Sequence, residues 1–437
     1  MTRTTSGGVN LIGYASAQIG LGTVVREFAK AMEQRGVPVA IHDLQAGGGR
    51  SGADMSLSRL FVADLDELPH DLNVWIVGSD MVPAMARRLL DAPRQRARAN
   101  AVFLWWELPD VPRAQALAAT AFDAVITGSE FVRESWAMAV PGMPVLLAPH
   151  PLDMPTSMPR MRHRYGLKDE QTVFFTGFEP TSDPARKNPF GAVHAFRMAF
   201  SKDDDARLVL KVNNPGAAPH AQGMVAELLR LIEGDDRVVL VRDRLSRDEL
   251  LSLYASSDVT VSLHRAEGLG LVPLEAMRLG VPAIATGWSG NMTYMTHAGA
   301  ALVRYLMTPT DASSGRYSPT KAGVFSRWAE PDTAHAAQWM RRLRDDEGLR
   351  QGLATAALRD ATDYDARARR LGFLDELQAI SAARQQISAG DAERLVLSIR
   401  NAQTEQRYFG QSPLRAGAAR LRDGLQWRVN LALNSKV

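Results

Sequence analysis

The segment SLHRAEGLGLVPLEAMRLGVPAIATGWSGN, which runs from Ser262 to Asn291, decides the fold of this chain. It leaves a short apolar strand, passes through a glycine loop, continues with helical spacing and enters a second strand that ends in a glycine turn. Strand, loop, helix and strand in this order build a parallel sheet that helices cover on both faces. Ligands of such sheets bind in the loops that follow the strands, so the segment also predicts a binding site.

The same alternation extends outward over most of the chain. Short apolar runs of strand length form two groups, at 9–15, 37–44, 72–78, 100–107, 123–129 and 144–149, and at 172–178, 207–213, 237–243, 259–264, 282–287 and 300–305. A proline-rich stretch between the groups has the composition of a linker. We therefore predict an α/β fold of two doubly wound, Rossmann-like parallel sheets that face a cleft. The predicted domains cover residues 1–160 and 161–385, followed by a helical basic tail over 386–437.

Composition and charge narrow the class of function. The chain has 437 residues, of which 46% are hydrophobic, and it contains no cysteine, which excludes disulfides, thiol catalysis and thiolate metal sites. No apolar run approaches the ~20 residues that span a bilayer, and the N-terminus lacks the apolar core of a secretion signal, so we expect a cytoplasmic protein. The formal net charge of +3 is too small to indicate nucleic-acid binding.

The C-terminal segment is more basic than the rest of the chain. From Asp391 to Val437 it contains eight Lys or Arg residues against four Asp or Glu residues. This excess is typical of a solvated helical face, but it also fits peripheral contact with an anionic membrane surface or with a partner. Both interpretations stay open.

The loop after the strand at 259–264 carries the groups that a sugar or phosphate ligand needs. Glu267 lies in this loop, and Glu275 follows eight positions later, about one turn into the next helix. Carboxylates accept hydrogen bonds from sugar and ribose hydroxyls. Gly268 and Gly270 allow close approach of the backbone, and the first amides of the helix are unpaired donors that favour anionic groups. Two glutamates at this spacing are common on helices, so the prediction rests on the whole strand, loop and helix.

This segment resembles the E-x7-E signature of family 4 glycosyltransferases. Further matching segments are GYASAQIGLGTVVREFAKAMEQRG, FDAVITGSEFVRES, ARKNPFGAVHAF and LSRDELLSLYASSDVTVSLHRAEG, so the resemblance covers roughly 9–346. It implies a GT-B fold, a nucleotide-diphosphate-sugar donor, transfer with retention of anomeric configuration, and no metal or other cofactor. It also implies a saccharide or lipid-linked saccharide acceptor in bacterial polysaccharide or lipopolysaccharide assembly. Among donors we favour GDP-mannose, although the residues that select the base cannot be identified.

The resemblance assigns roles to individual residues. Glu275 corresponds to the residue that holds the donor ribose, Glu267 to the one beside the transferred sugar, and Lys187 to the lysine that neutralises the departing diphosphate. The amides that correspond to those binding the sugar hydroxyls or the β-phosphate belong to Gly268, Leu269, Gly270 and Leu271.

The phosphate-binding part departs from the family pattern. Many relatives place an arginine after the strand that precedes the lysine, and Phe178 stands near that position here. Lys211 or Arg186 could supply the missing charge, and we favour Lys211 because it ends a neighbouring strand. Arg242 and Leu245 are the candidates for contact with the nucleobase.

In the first domain, Gly20 and Gly22 lie between the first strand and its helix. Val25 occupies the place of the third glycine in a dinucleotide fingerprint, which disfavours a nicotinamide dehydrogenase. We expect this glycine loop to face the donor phosphates and the acceptor from across the cleft. Trp106 and Glu107, after the fourth strand, and His150, at the domain junction, are candidates for the acceptor side.

Other functions fit the sequence less well than a glycosyltransferase does. The acidic run 202–206 precedes a strand rather than following one, so it indicates a solvated turn and not a metal site. A sugar-nucleotide epimerase or a phosphorylase could share the fold, but neither leaves a clear sign in the sequence. The main non-enzymatic alternative is a degenerate transferase that only binds sugar nucleotides as a scaffold of glycan assembly.

Overall fold

The structure is a computed structural model, and it describes residues 7–44, 54–213 and 222–409. The last part of the predicted basic tail, 410–437, lies outside the described residues. The predicted domain limits stay a prediction, whereas the predicted α/β architecture of two parallel sheets is confirmed.

The first sheet has six parallel strands in the order β2-β1-β3-β4-β5-β6. Its strands are β1 (Val9–Gly13), β2 (Val39–Asp43), β3 (Leu72–Ile76), β4 (Ala99–Phe103), β5 (Ala124–Thr127) and β6 (Val145–Leu147). Almost every strand residue is buried, as expected for a sheet with helices on both faces. The helices of this half are α1 (Gly20–Gln34), α2 (Val82–Leu90), α3 (Pro93–Ala97), α4 (Arg113–Ala119) and α5 (Glu130–Ala139).

The second sheet has the order β12-β11-β10-β7-β8-β9, again with six parallel strands. These are β7 (Thr172–Phe178), β8 (Ala206–Val212), β9 (Val238–Val241), β10 (Val259–Ser262), β11 (Ala283–Thr286) and β12 (Ala300–Val303). The helices between them are α6 (Pro184–Lys187), α7 (Pro189–Ala199), α8 (Gln222–Ile232), α9 (Arg247–Ala255) and α10 (Leu271–Arg278). The carboxyl ends of β7 and β10 therefore present their loops side by side.

The second sheet is followed by an insertion that was not predicted from the sequence. Strands β13 (Tyr305–Pro309) and β14 (Arg327–Pro331) form an antiparallel pair, and between them lie a short 3-10 turn at Ala312–Tyr317 and helix α11 (Pro319–Ala322). The composition of 309–321, rich in Ser, Thr and Gly, predicts a mobile surface loop. That interpretation is wrong at its centre, because Tyr317 is almost completely buried.

The remaining helices return the chain to the first sheet. They are α12 (Thr333–Asp345), α13 (Glu347–Ala368), α14 (Phe373–Ala383) and α15 (Ala389–Arg407). Phe373, Leu374 and Leu377 of α14 join the core of the first sheet. Helix α15 packs on α2 and α4 through Ile399 and its neighbours, so this part of the basic tail has one face covered by protein. Among the described residues, none of the helices combines the length and the apolarity that crossing a membrane requires.

Candidate functional site

Glu267 is buried in the loop that follows β10. Its amide donates to Ser289 Oγ at 2.9 Å, and its carbonyl oxygen accepts from the amide of Gly290 at 2.9 Å. A Cβ on Gly290 would lie 2.1 Å from the carbonyl oxygen of Gly268, so only glycine fits there. The glycine turn after β11 thus fixes the backbone that carries Glu267.

Two cations reach Glu267 from a short helical turn, α6, in the segment DPARKNP. Asp183 and Asn188 frame the turn with positive φ angles of 70° and 50°, which Asp and Asn tolerate better than most residues. Both side chains accept hydrogen bonds from the backbone amides of the helices that they cap. The turn therefore holds Arg186 and Lys187 in a fixed direction toward the loop after β10.

Arg186 and Lys187 form an ion-pair cluster with Glu267. Arg186 Nη1 lies 3.0 Å from Glu267 Oε2, and Lys187 Nζ donates to Glu267 Oε1. Burial opposes ionisation of Glu267, but the charges of Lys187 and Arg186 outweigh it and lower its pKa to about 2. The Arg186 side chain is only 4% exposed, whereas that of Lys187 is 23% exposed, so Lys187 is the cation that a ligand in the cleft can contact.

Helix α10 presents its amino end beside Glu267. Gly270 caps the helix with a φ of +84°, and its carbonyl oxygen accepts from the Tyr294 hydroxyl at 2.6 Å. Pro273 stands in the first turn, where a missing amide costs no hydrogen bond. The amides of Leu271 and Val272 belong to the first turn, whose donors have no partner within a helix. This helix end can bind an anionic or hydroxyl group.

Glu275 is buried in α10 and pairs with Arg247, whose Nη1 lies 2.8 Å from Glu275 Oε1. Burial raises the pKa of Glu275, and the positive charge of Arg247 opposes that rise. Ser246 and Glu249 form a capping box, which sets Arg247 at the first position of α9. The Arg247 side chain is 40% exposed, so it can move aside for a ligand that bonds to Glu275.

The first domain contributes Glu107, which lies against the glycine loop between β10 and α10. A Cβ on Gly268 would lie 3.0 Å from the Trp105 ring and 3.8 Å from Glu107 Cγ, which places both side chains against the glycine loop. Glu107 Oε2 accepts from the Tyr317 hydroxyl at 2.5 Å, and Ser129 Oγ of the same domain donates to the Gly268 carbonyl oxygen at 2.5 Å. The two domains therefore meet at the glycine loop.

Trp106 and His150 do not have the positions that an acceptor ligand requires. The Trp106 ring is 3% exposed and packs on Tyr317 with ring centroids 5.4 Å apart, so it belongs to the core rather than to a stacking surface. His150 is 1% exposed, and its Nε2 lies 2.7 Å from Glu27 Oε2, while its amide donates to the Tyr364 hydroxyl. Both predictions are corrected, because burial leaves no surface of these rings for a ligand.

The choice of Lys211 as the cation that supplies the missing phosphate charge is also corrected, because its side chain is buried. Lys211 lies within β8, and its Nζ is 3.4 Å from the Val212 carbonyl oxygen; burial lowers the pKa of Lys211, and the charges of Glu179 and Asp243 oppose this effect only in part. Arg186, not Lys211, contacts Glu267. Phe178 ends β7 as part of the core.

Four further candidates take different positions. Arg242 is exposed and lines a surface hollow with residues of α8 and β9, and its contact with the nucleobase stays a prediction. Leu245 is half-buried against the core beside α9. Gly20 begins α1 in open space, and a Cβ on Gly22 would lie 2.2 Å from the Ala17 carbonyl oxygen. The turn before α1 therefore has room only for glycine at position 22.

Sequence reasoning missed Arg247, Tyr317, Ser129 and Ser289. The capping box placed Arg247 on the exposed start of a helix, but nothing indicated that Glu275 lies within its reach. Tyr317 stands in an insertion without periodicity. Among the described residues, no three His, Asp or Glu side chains form a group that could hold a metal ion.

Known proteins are similar to this chain in sequence and in fold. The model of a family described as Family 4 Glycosyltransferase in conflict systems matches residues 112–362, more than half of the chain. A putative glycosyltransferase of Bacillus subtilis, YtcC, is 28% identical over 145 residues. That alignment covers 32% of this chain and 34% of the relative, so the chain matches only about a third of the length of YtcC.

Solved structures of GT-B proteins have the same fold. HepE of Anabaena, solved with UDP and glucose, superposes with a TM-score of 0.58 at 15% identity and covers 85% of this chain and 100% of HepE. The apo structure of OtsA superposes with a TM-score of 0.60 at 12% identity, over 85% of this chain and 99% of OtsA. At such identities these similarities show the fold alone, which is GT-B.

Proposed function

This chain belongs to the family 4 glycosyltransferases of conflict systems, and from that premise we propose that it transfers a sugar from a nucleotide-diphosphate-sugar donor with retention of anomeric configuration. The observation that carries the proposal is the cluster of Glu267, Lys187 and Arg186 beside the free amides of α10. A diphosphate needs cations and backbone donors on one side, and a sugar needs a carboxylate acceptor next to them. Lys187, Glu267 and the amides of α10 supply these groups side by side, and the buried Arg186 holds Glu267 in place.

The proposed reaction uses the leaving group as its own base. An acceptor hydroxyl attacks the anomeric carbon from the face that the nucleotide leaves, and the departing phosphate oxygen takes up the proton. Negative charge then grows on the diphosphate, where Lys187 and the amides of α10 stabilise it most strongly in the transition state. Arg186 does not reach the cleft; it balances the charge of Glu267 and fixes its position. No metal ion or other cofactor is part of this proposal.

The donor ribose is assigned to Glu275. In the absence of a donor, Arg247 holds one oxygen of this carboxylate at 2.8 Å. Ribose hydroxyls would replace Arg247 as donors, and the released guanidinium would then be free to contact the diphosphate or the base. This part of the site therefore exchanges an internal ion pair for ligand contacts.

The identities of the donor and of the acceptor are also proposals. We propose GDP-mannose, and the UDP and glucose bound to HepE make UDP-glucose the first competitor. The acceptor is proposed to be a saccharide or a lipid-linked saccharide of polysaccharide or lipopolysaccharide assembly. The protein is proposed to act in the cytoplasm, and the basic C-terminal segment is proposed to contact the inner membrane face or a partner.

A catalytically degenerate scaffold remains the second candidate. Arg247 is paired with Glu275 and Lys187 with Glu267, so each carboxylate already has a cationic partner within the protein. A scaffold would bind the sugar nucleotide without releasing nucleotide diphosphate. A turnover assay separates the two functions.

Donor binding is expected to stabilise the folded protein in a way that depends on Glu275. One nucleotide or nucleotide sugar from a panel of GDP, UDP and ADP forms, at 100 times its dissociation constant, should add about 2.7 kcal/mol to the free energy of unfolding. Glu275→Gln removes the ionised acceptor for the ribose, so its response should be much smaller. The measurement is thermal unfolding with and without each ligand.

Glu347→Gln is the matched control, because Glu347 is an exposed helix residue outside the cleft. It should respond to the ligand as the wild type does. If no member of the panel stabilises the wild type, or if Glu275→Gln responds fully, the assignment of the donor site is wrong.

A further inference from the structure

A second cavity of about 840 Å³ opens at the carboxyl ends of β1, β2 and β3 in the first sheet. We call it the β1–β2 cavity. Its volume falls in the range of about 300–1,000 Å³ that small-molecule sites occupy. Six of its lining residues carry the argument: Tyr14, Met55, Phe61, Met81, Met85 and Arg88.

Most of the residues that line the β1–β2 cavity are apolar. Met55 and Met81 are 53% and 37% exposed, and Met85 and Phe61 are partly exposed. Methionine side chains adapt to irregular ligands, and their sulfur atoms make favourable contacts with aromatic rings. Exposed thioethers and rings grouped in one concave surface favour an apolar ligand over a bare saccharide.

The polar atoms on the floor of the cavity are already bonded within the protein. His42 Nδ1 donates to the Val62 carbonyl oxygen at 3.1 Å, and Asp43 Oδ1 accepts from the Ser16 amide at 3.0 Å. Within the described part of the chain, the Tyr14 hydroxyl and the Arg88 guanidinium have no hydrogen bond or ion pair. A ligand would therefore meet an apolar surface with two polar groups at its edge.

A continuous line of contacts joins the β1–β2 cavity to the proposed reaction centre. Met81 follows Asp80, and Asp80 Oδ1 lies 3.6 Å from Arg316 Nη2. Arg316 stacks 5.4 Å from the ring of Tyr317, whose hydroxyl donates to Glu107. Glu107 in turn lies against Gly268. The cavity and Glu107 therefore lie at the same edge of the first sheet, and Glu107 adjoins the loop that carries Glu267.

We propose that the β1–β2 cavity binds an aromatic group that the acceptor carries beside the hydroxyl to be glycosylated. The apolar wall of Met55, Met81, Met85 and Phe61 packs on the ring, while Tyr14 and Arg88 bond to its polar substituents. The assignment of this aromatic group to the acceptor rests on the proposed transferase function. The cavity and its preference for an aromatic group rest on the lining residues alone.

The test compares two glycosides that differ only in their aglycone, methyl and 4-nitrophenyl glycosides of glucose and of mannose. Binding to the full-length protein is followed by NMR of methionine labelled with ¹³C at its methyl group, and the signals are assigned by single substitutions. The 4-nitrophenyl compounds should shift the signals of Met55, Met81 and Met85 and bind at least about tenfold more tightly than the methyl compounds.

The double variant Met81→Gln/Met85→Gln should lose most of this preference. Met198→Gln, which changes an exposed methionine on α7 of the second sheet, should keep it. Equal thermal stability of the two variants shows that the fold is retained. Equal affinity for the two aglycones, or an unchanged preference in the double variant, would overturn the proposal. Tighter binding of the octyl glycoside than of the 4-nitrophenyl glycoside would also overturn it, in favour of an alkyl chain.

The same experiment separates this inference from the transferase function. Nucleotide binding depends on Glu275, which lies in the other domain and does not line the cavity. If aromatic glycosides shift the three methionine signals while no nucleotide sugar binds, the cavity stands and the transferase proposal fails. If nucleotide sugars bind and the methionine signals do not respond, the cavity proposal fails alone.

Discussion

Replacement of Glu267 by glutamine is expected to slow the release of nucleotide diphosphate from the donor by about 100-fold. The carboxylate holds Lys187 and Arg186 through two ion pairs and lies where the transferred sugar is proposed to bind. Glutamine has the same size but carries no charge, so Lys187 loses its anchor and the sugar loses its strongest acceptor. Misplacement of such groups by about 1 Å costs rate on this scale.

The affinity of Glu267→Gln for the donor should rise or stay unchanged, although its turnover falls. The two cations are no longer neutralised in Glu267→Gln, so nucleotide diphosphate should bind at least as tightly as it does to the wild type. Turnover is measured as release of nucleotide diphosphate, and affinity by calorimetry. Glu330→Gln is the matched control, because Glu330 also pairs with an arginine, Arg265, but its side chain is 41% exposed. Equal turnover of Glu267→Gln and Glu330→Gln would refute the role of Glu267.

Replacement of Arg186 by methionine is expected to lower the free energy of unfolding of the second domain by about 3 kcal/mol. Arg186 is buried against Glu267, and it also donates to the carbonyl oxygens of Ala266 at 2.7 Å and Ser182 at 3.1 Å. Methionine fills much of the same space, yet it leaves two buried carbonyl oxygens without a donor and Glu267 with one cation instead of two. Urea unfolding, followed by hydrogen exchange in the loop after β10, measures the loss.

Arg341→Met provides the comparison. Arg341 also donates to backbone carbonyl oxygens, those of Met198 and Ala199, but it is exposed, so its loss should cost less than about 1 kcal/mol. If the two variants were equally stable, the buried cluster would not be what holds the loop that carries Glu267.

The sequence predicted the architecture well because its signals are local. Continuous apolar runs such as VFF in β7 and AIAT in β11 identify strands buried on both faces, and each lies in a sheet at the predicted place. Ser246 and Glu249 predicted their capping box from a spacing of three residues. Signals of this kind need no knowledge of distant parts of the chain.

The site was predicted only in outline because its contacts join distant residues. Arg186 and Glu267 are 81 positions apart, and the choice between Arg186 and Lys211 depends on which side of its element each cation faces. A pattern of strands and helices does not contain that information. Lys211 appeared better placed at the end of a strand, but its neighbours turned out to be Glu179 and Asp243.

The insertion between β13 and β14 also shows that local composition does not reveal contacts with distant residues. Its composition is that of a solvated loop, and Tyr317 is its only large aromatic residue between Ala312 and Ala322. In the structure this ring lies beside Trp106 and Arg186, and its hydroxyl bonds to Glu107. Tyr317, together with Arg316 and Ser326, therefore joins this segment to the first domain, and isolated side chains of this kind leave no periodic signal.

The most direct measurement of the central claim is the anomeric configuration of the sugar that the protein releases from its donor. Slow hydrolysis by water needs no acceptor, so the wild type is mixed with the α-linked nucleotide sugar that stabilises it, and ¹H NMR follows the first sugar formed before it equilibrates. The account predicts the α-anomer, and its formation should depend on Glu267. Release of the β-anomer would contradict the proposed mechanism, and a donor that binds but is never cleaved would identify the protein as a scaffold.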